Sequence, residues 1–116
     1  MKPIFITGTG TAGGKTLVAA IVTEALHADY WKPVQAGYNE GTDSLWVAEM
    51  LSNKKTIIHP ELYKLKMAAS PHIAAKAEQK KITLKDIANH LPKTKNQLII
   101  EGAGGLMVPL NKKKFV

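Results

Sequence analysis

The sequence predicts an α/β fold built on a mainly parallel sheet, and three observations predict it. Pro3 to Thr7 is a short β-prone run that stops abruptly at Gly8. The glycine-rich stretch that follows leads into a helix-prone segment. Far along the chain, Leu98 to Ile100 is a second apolar run, ending in Glu101 and then Gly102-Ala103-Gly104-Gly105. Continuous apolar runs without alternation mark strands covered on both faces, and such strands belong to parallel sheets whose crossover helices cover them. Both runs are therefore expected to be buried on both faces.

The remaining elements follow in order. From Lys15 or Thr16 through His27, apolar residues at Leu17, Ala20, Ile21 and Leu26 predict a helix that begins inside the glycine-rich stretch. A second strand is expected near Tyr30 to Val34, completing a strand–helix–strand crossover. Asp43 is a suitable N-cap for a helix over Ser44 to Leu51, with Leu45, Val47, Ala48 and Leu51 available for its inner face. Asn53 to Thr56 and Pro60 mark a surface connection. Ser70-Pro71 opens a further helix through Ile73, Ala74, Ala75 and Ala77, and Thr83 caps a shorter one from Leu84 to His90. Pro92 to Gln97 is a polar loop before the last strand.

The chain has 116 residues and a net charge of +7, with 45% hydrophobic and 22% charged residues. That is an ordinary globular composition, and the length suits a single domain spanning 1–116. It contains no Cys, which excludes a disulfide framework, a thiolate zinc site and a cysteine nucleophile. No run is long and apolar enough to cross a bilayer, so neither a membrane nor an export route is expected, and a cytoplasmic location is. All 16 cations are Lys and they are scattered, which argues against a nucleic-acid partner, since base and phosphate readers lean on Arg.

The segment Gly8-Thr9-Gly10-Thr11-Ala12-Gly13-Gly14-Lys15-Thr16 lies between a strand and a helix, as a phosphate-binding loop does. Glycines there let consecutive N–H groups point at phosphate oxygens, and the helix N-terminus adds a favourable dipole. Lysine supplies a point charge for the β- and γ-phosphates, and the following Thr hydroxyl ligates Mg²⁺. Counting back from Lys15, the usual first glycine falls on Thr9, one residue after Gly8. The alternative is a glycine-rich turn with no ligand.

Lys32, at the end of the second expected strand, can face the same phosphates or stand at the surface. Glu101 emerges where an apolar strand ends, a common place for an acid that holds Mg²⁺ directly or through water. Asp43 suits a metal ligand and a helix cap equally. His72 is a substrate or metal contact, or a helix-start capping residue. Trp31 and Trp46 are expected to pack, with lining a pocket as the alternative, and His27, His59 and His90 show no ligand spacing.

In this order the segments resemble dethiobiotin synthetase, an ATP-dependent family of biotin synthesis. Gly8 to Thr16 is similar to that family's Gly-Thr-Asp-Thr-x-x-Gly-Lys-Thr loop, whose extra residue explains the offset at Thr9. Lys32 to Gly37 is similar to its Lys-Pro-Val segment, Asp43 to the acid after it, Ser70 to His72 to its Ser-Pro-His, and Glu101 to Pro109 to its Glu-Gly-Ala-Gly-Gly run. The resemblance implies a P-loop NTPase-like, Rossmann-like three-layer fold, here incomplete. It implies a reaction joining 7,8-diaminopelargonate, CO₂ and ATP into dethiobiotin, ADP and phosphate.

Carried over residue by residue, it assigns Thr11, Lys15 and Lys32 to catalysis and Thr11, Lys32 and Ala36 to the substrate. It assigns Ala12, Gly13, Gly14, Lys15, Thr16, Leu17, Asp43, Glu101, Gly102, Ala103 and Gly104 to the nucleotide, and Thr16, Asp43 and Glu101 to Mg²⁺. Gly10 stands where the family commonly has Asp, Gly13 where it has a small apolar residue, and Ala36 where a Ser often contacts substrate. The family's chain is close to twice as long, its later half supplying the adenine pocket and most dimer contacts. This chain is therefore expected to be an amino-terminal half, a homodimer only in full-length form, and compromised in activity by itself. Two other classes share features of the loop: a P-loop amidotransferase of cobalamin synthesis, which needs a catalytic Cys, and a partitioning-type ATPase switch, which places an extra lysine early in the loop.

Overall fold

The computed structural model describes residues 2–7, 14–38, 41–53, 55–67, 71–102, 109–111 and 114–115. Four parallel strands form the main sheet: β1 (Ile4–Ile6), β2 (Asp29–Trp31), β4 (Ile58–His59) and β6 (Leu98–Glu101), in the order β1-β6-β2-β4. Between β2 and β4, strand β3 (Val34–Ala36) leaves this sheet and pairs in parallel with β5 (Tyr63–Leu65). The helices are α1 (Gly14–Ala25), α2 (Asp43–Met50), α3 (Pro71–Ala77) and α4 (Leu84–Asn89), and β7 (Pro109–Asn111) pairs antiparallel with β8 (Lys114–Phe115). Among the described residues no helix is long and apolar enough to cross a membrane. The α/β class and the mainly parallel sheet agree with the sequence.

The strand pleat divides the core. Successive side chains point to opposite faces, so Tyr30 and Ile99 pack under α1 and α2 with Ala19, Ala20, Ala28 and Val47. Trp31, Leu98 and Ile100 point the other way, towards Leu62 and Ile87. A third cluster joins the small sheet to α3 through Val34, Leu65, Ala74, Ala75 and Ile82.

Several expectations are corrected. β6 is buried along its whole length, whereas β1 pairs with β6 alone among the described residues, and Ile4 and Phe5 are exposed. The expected strand Tyr30 to Val34 is two strands in two sheets. Pro33 has no N–H for a ladder, and its carbonyl instead accepts from the N–H groups of Leu62 and Tyr63 at 2.9 and 2.8 Å. The stretch around Pro60, expected as a surface connection, holds the two short strands β4 and β5. On α1 the buried face is Thr16, Ala19, Ala20 and Thr23, whereas Leu17, Ile21 and Leu26 are exposed. The large ring of Tyr30 occupies the space beneath, so only small residues fit against it. On α2, Ser44 and Val47 are buried while Leu45 and Ala48 are exposed, and Trp46, expected to pack, is exposed as well.

Termini follow local rules. α1 ends where His27 takes a left-handed φ of 50°, with the Ala28 N–H returning to the Thr23 carbonyl at 3.0 Å and the His27 N–H to Glu24 at 3.3 Å. α4 is capped as expected, with the Asp86 N–H donating to Thr83 Oγ1 at 3.0 Å.

At the start of β2, Asp29 is fully buried. Thr94 Oγ1 donates to it at 2.7 Å and Asn96 Nδ2 at 3.1 Å, and His59 Nε2 lies 3.1 Å away. Burial alone would raise this carboxyl, but the hydrogen bonds from Thr94, Asn96 and His59 prevail and hold it below its ordinary value.

Two outcomes follow for stability. Ala19→Leu is expected to cost about 1–3 kcal/mol by overpacking, whereas Leu17→Ala stays within about 0.5 kcal/mol, both read by urea unfolding. Because the folded pKa of Asp29 lies below the unfolded one, its stabilisation is complete above the unfolded value and disappears as pH falls through the folded one. The advantage of the wild type over Asp29→Asn is therefore expected to be about 2 kcal/mol near neutral pH and to shrink on acidification below about pH 4.

Candidate active site

Four segments distant in sequence deliver their polar residues to one end of the main sheet. α1 opens on Gly14, so Lys15 and Thr16 stand in its first turn, where N–H groups and the helix dipole favour an anion. Glu101 ends β6 with no exposed surface, and the N–H of Gly102 donates to the Ile6 carbonyl at 3.0 Å, tying that end to β1. Lys32 follows β2 immediately and is also buried. Asp43 is the first residue of α2.

Glu101 is the hub. Its Oε2 accepts from Thr16 Oγ1 at 2.9 Å and lies 3.5 Å from Lys32 Nζ, while Oε1 accepts from the Tyr30 hydroxyl at 2.7 Å. Lys32 Nζ also donates to Asp43 Oδ2, so one ammonium joins both carboxylates. Lys15 senses the same charges. Burial, then the neighbouring Lys32 ammonium, lowers it from its ordinary 10.5, while Glu101 and Asp43 act in the opposite sense. Burial and then the Glu101 charge push the Tyr30 phenol far above its ordinary value, so it remains protonated and a donor.

The helix cap is a correction with a chemical consequence. Thr42, in extended conformation, is the N-cap of α2 and accepts from the Leu45 N–H at 3.2 Å, so the Asp43 carboxylate is not used for capping and turns to Lys32. The turn before it needs glycine, since Gly41 has φ +98°. Gln35 holds the same corner: its Oε1 accepts from the Asp43 N–H at 3.0 Å and its Nε2 donates to the Gly37 carbonyl at 2.8 Å.

The structure thus brings together Lys15, Thr16, Lys32, Asp43 and Glu101. Ala36 lies apart from them in β3, packed against the cluster around Val34 and Leu65. The Leu17 side chain is exposed. Thr11, Ala12, Gly13, Ala103 and Gly104 lie outside the described residues, as does Ser70, and of His72 the backbone alone is described. Sequence reasoning missed Tyr30 and Gln35. Tyr30 was legible in principle, because the two-residue period of a strand sets it on the same face as Lys32.

As a donor set the site offers one hydroxyl and two carboxylates, all hard oxygen ligands of the kind Mg²⁺ takes, with two lysines beside them to meet phosphate charge. These residues fit a magnesium–nucleotide complex.

A family model described as an AAA domain matches residues 2–116, and the chain belongs to that family, a class of P-loop nucleotide-binding proteins. Within that class the chain is similar to proteins named ATP-dependent dethiobiotin synthetase BioD. The one from Cytophaga hutchinsonii is 58% identical over 117 residues, covering 100% of this chain and 55% of the relative. That from Christiangramia forsetii is 50% identical over 99% of this chain and 55% of its own, and that from Brucella ovis 46% identical over 95% and 51%. The chain spans about half the length of these relatives. The resemblance carried by the five segments is borne out by their name.

The ion-pair geometry predicts its own energetics. Removing one member of a buried pair leaves an uncompensated charge, so Lys32→Met is expected to cost about 3–5 kcal/mol. Lys32→Met combined with Glu101→Gln should be less destabilised than the sum of the two single variants, by about 1 kcal/mol or more. Urea unfolding of the four proteins measures the coupling, and strict additivity would show that the two groups do not interact.

Proposed function

We propose that residues 1–116 form one nucleotide-binding domain that supplies the phosphate and metal chemistry of a dethiobiotin synthetase. The observation that carries this reading is the convergence of Lys15, Thr16, Lys32, Asp43 and Glu101 at one sheet end, in a chain similar throughout to enzymes of that name.

In the reaction proposed, one amine of 7,8-diaminopelargonate adds to CO₂ and loses a proton, giving a carbamate. A carbamate oxygen takes the γ-phosphoryl group of ATP and releases ADP. The neighbouring amine then attacks the carbamate carbon and expels phosphate, closing the cyclic urea. The barrier is lowered by positioning and charge neutralisation rather than by a protein nucleophile. Lys15 contacts the β- and γ-phosphates, and Lys32 the carbamate and γ-phosphate. Backbone N–H groups from Ala12 to Leu17 cradle the phosphates, Thr11 lies beside the γ-phosphate and carbamate, and Gly102 to Gly104 border the nucleotide. Ala36 borders the diamine without donating a hydrogen bond. Thr16, Asp43 and Glu101 hold Mg²⁺, which when bound neutralises phosphate charge. The working assembly proposed is a cytoplasmic homodimer of a polypeptide longer than 116 residues.

ADP release is expected to require Mg²⁺, CO₂ and the diamine together. It is expected to fall by roughly a hundredfold or more in Lys15→Ala and in Lys32→Ala, as when a preorganised charge-stabilising donor is removed. Turnover indifferent to the diamine would falsify the proposal. Activity from the 116-residue chain equal to that of a longer polypeptide containing it would overturn the claim that the longer form is the working one.

A further inference from the structure

Tyr30 is fully buried, and its phenol ring runs between the main sheet and α1 in a space lined by Ala19, Ala20 and Ala28. In register it stands opposite Ile99, two residues before Glu101, so the long ring reaches along the sheet until its hydroxyl meets Glu101 Oε1 at 2.7 Å. Glu101 has two oxygens and three hydrogen-bonding groups around it. With Oε1 taken by Tyr30, the remaining oxygen, Oε2, is the one that receives Thr16 and faces Lys32.

We propose that Tyr30 is a positioning residue for metal binding: by occupying Oε1 it fixes the rotation of the Glu101 carboxylate and presents Oε2 beside the Thr16 hydroxyl. The proposal rests on the reading that Glu101 and Thr16 hold the magnesium ion. Partners that orient a ligating carboxylate in this way are worth roughly tenfold to a hundredfold in metal affinity. Phe at this position keeps the ring in its alanine-lined space and removes the hydroxyl alone. The buried Oε1 then loses its donor, and the carboxylate is free to turn and share both oxygens between Thr16 and Lys32.

The test is a titration of the ADP-bound protein with Mn²⁺, following the free ion by electron paramagnetic resonance, for wild type and Tyr30→Phe. The variant is expected to bind Mn²⁺ roughly tenfold to a hundredfold more weakly, with its affinity for ADP in the presence of EDTA unchanged. A purely structural role would weaken both. A variant that binds Mn²⁺ as the wild type does, or that loses ADP and Mn²⁺ in parallel, overturns the proposal. A wild type that binds no Mn²⁺ with ADP overturns the metal reading itself and this inference with it, an outcome visible without any variant. Should Tyr30→Phe fail to fold, the 3 tyrosines of the chain permit a second route. In the Tyr38→Phe, Tyr63→Phe protein, 3-fluorotyrosine labels Tyr30 alone. Adding Mg²⁺ to the ADP-bound form is expected to move its ¹⁹F resonance, and a resonance that stays in place overturns the proposal.

Discussion

A carboxylate with no access to water stands at the end of β6, and the arrangement around it follows from the need to satisfy that charge. An unpaired ion in this position would be far too costly, so donors have to be brought to it. Thr16 arrives from the first turn of α1, Tyr30 from β2 and Lys32 from the residue after β2. Asp43 is recruited in turn as the second partner of the same lysine. The hub therefore joins β2, β6, α1 and α2, and the residues that stabilise this end of the sheet are those a magnesium–nucleotide complex would engage.

Two features of the packing make the joint possible. The first is the break at Pro33, which ends β2 and sends β3 into a separate sheet, so that Lys32 is released from strand pairing at the point where it meets Glu101 and Asp43. The second is the alanine-rich inner face of α1. Ala19 and Ala20 let the helix approach closely enough for Thr16 to reach Oε2 while a whole phenol ring is accommodated below. A larger residue at either alanine would lift the helix and lengthen the Thr16 contact. Gln35 and Thr42 do comparable work at the start of α2, setting the backbone of Asp43 and freeing its side chain.

Much of this was legible in the residues. The apolar run Leu98 to Ile100 ending in an acid, the helix opening at Lys15-Thr16 and the Thr83 cap all appear in the structure where their local chemistry places them, because each depends on neighbours in sequence. The errors share one cause. β1 was expected to be buried on both faces, yet Ile4 and Phe5 are exposed, because a run of apolar residues does not encode what covers it. Leu17 and Ile21 were expected to face inward, yet the bulk of Tyr30 reserves that side for alanine. Asp43 suited a helix cap and a metal ligand equally, yet Thr42 takes the cap and a lysine 11 residues away claims the Asp43 carboxylate.

The sequence by itself determined the class of fold, the residue types proposed to meet phosphate and magnesium, and the likeness to dethiobiotin synthetases, since motif spacing and strand-to-helix transitions are local properties. Only the tertiary structure decided which oxygen of Glu101 faces Thr16 and Lys32, and that Tyr30 holds the other. Those facts depend on contacts between residues separated by 69 to 85 positions. Such contacts are set by how volumes and buried charges are reconciled across the whole sheet, and no local pattern encodes that reconciliation.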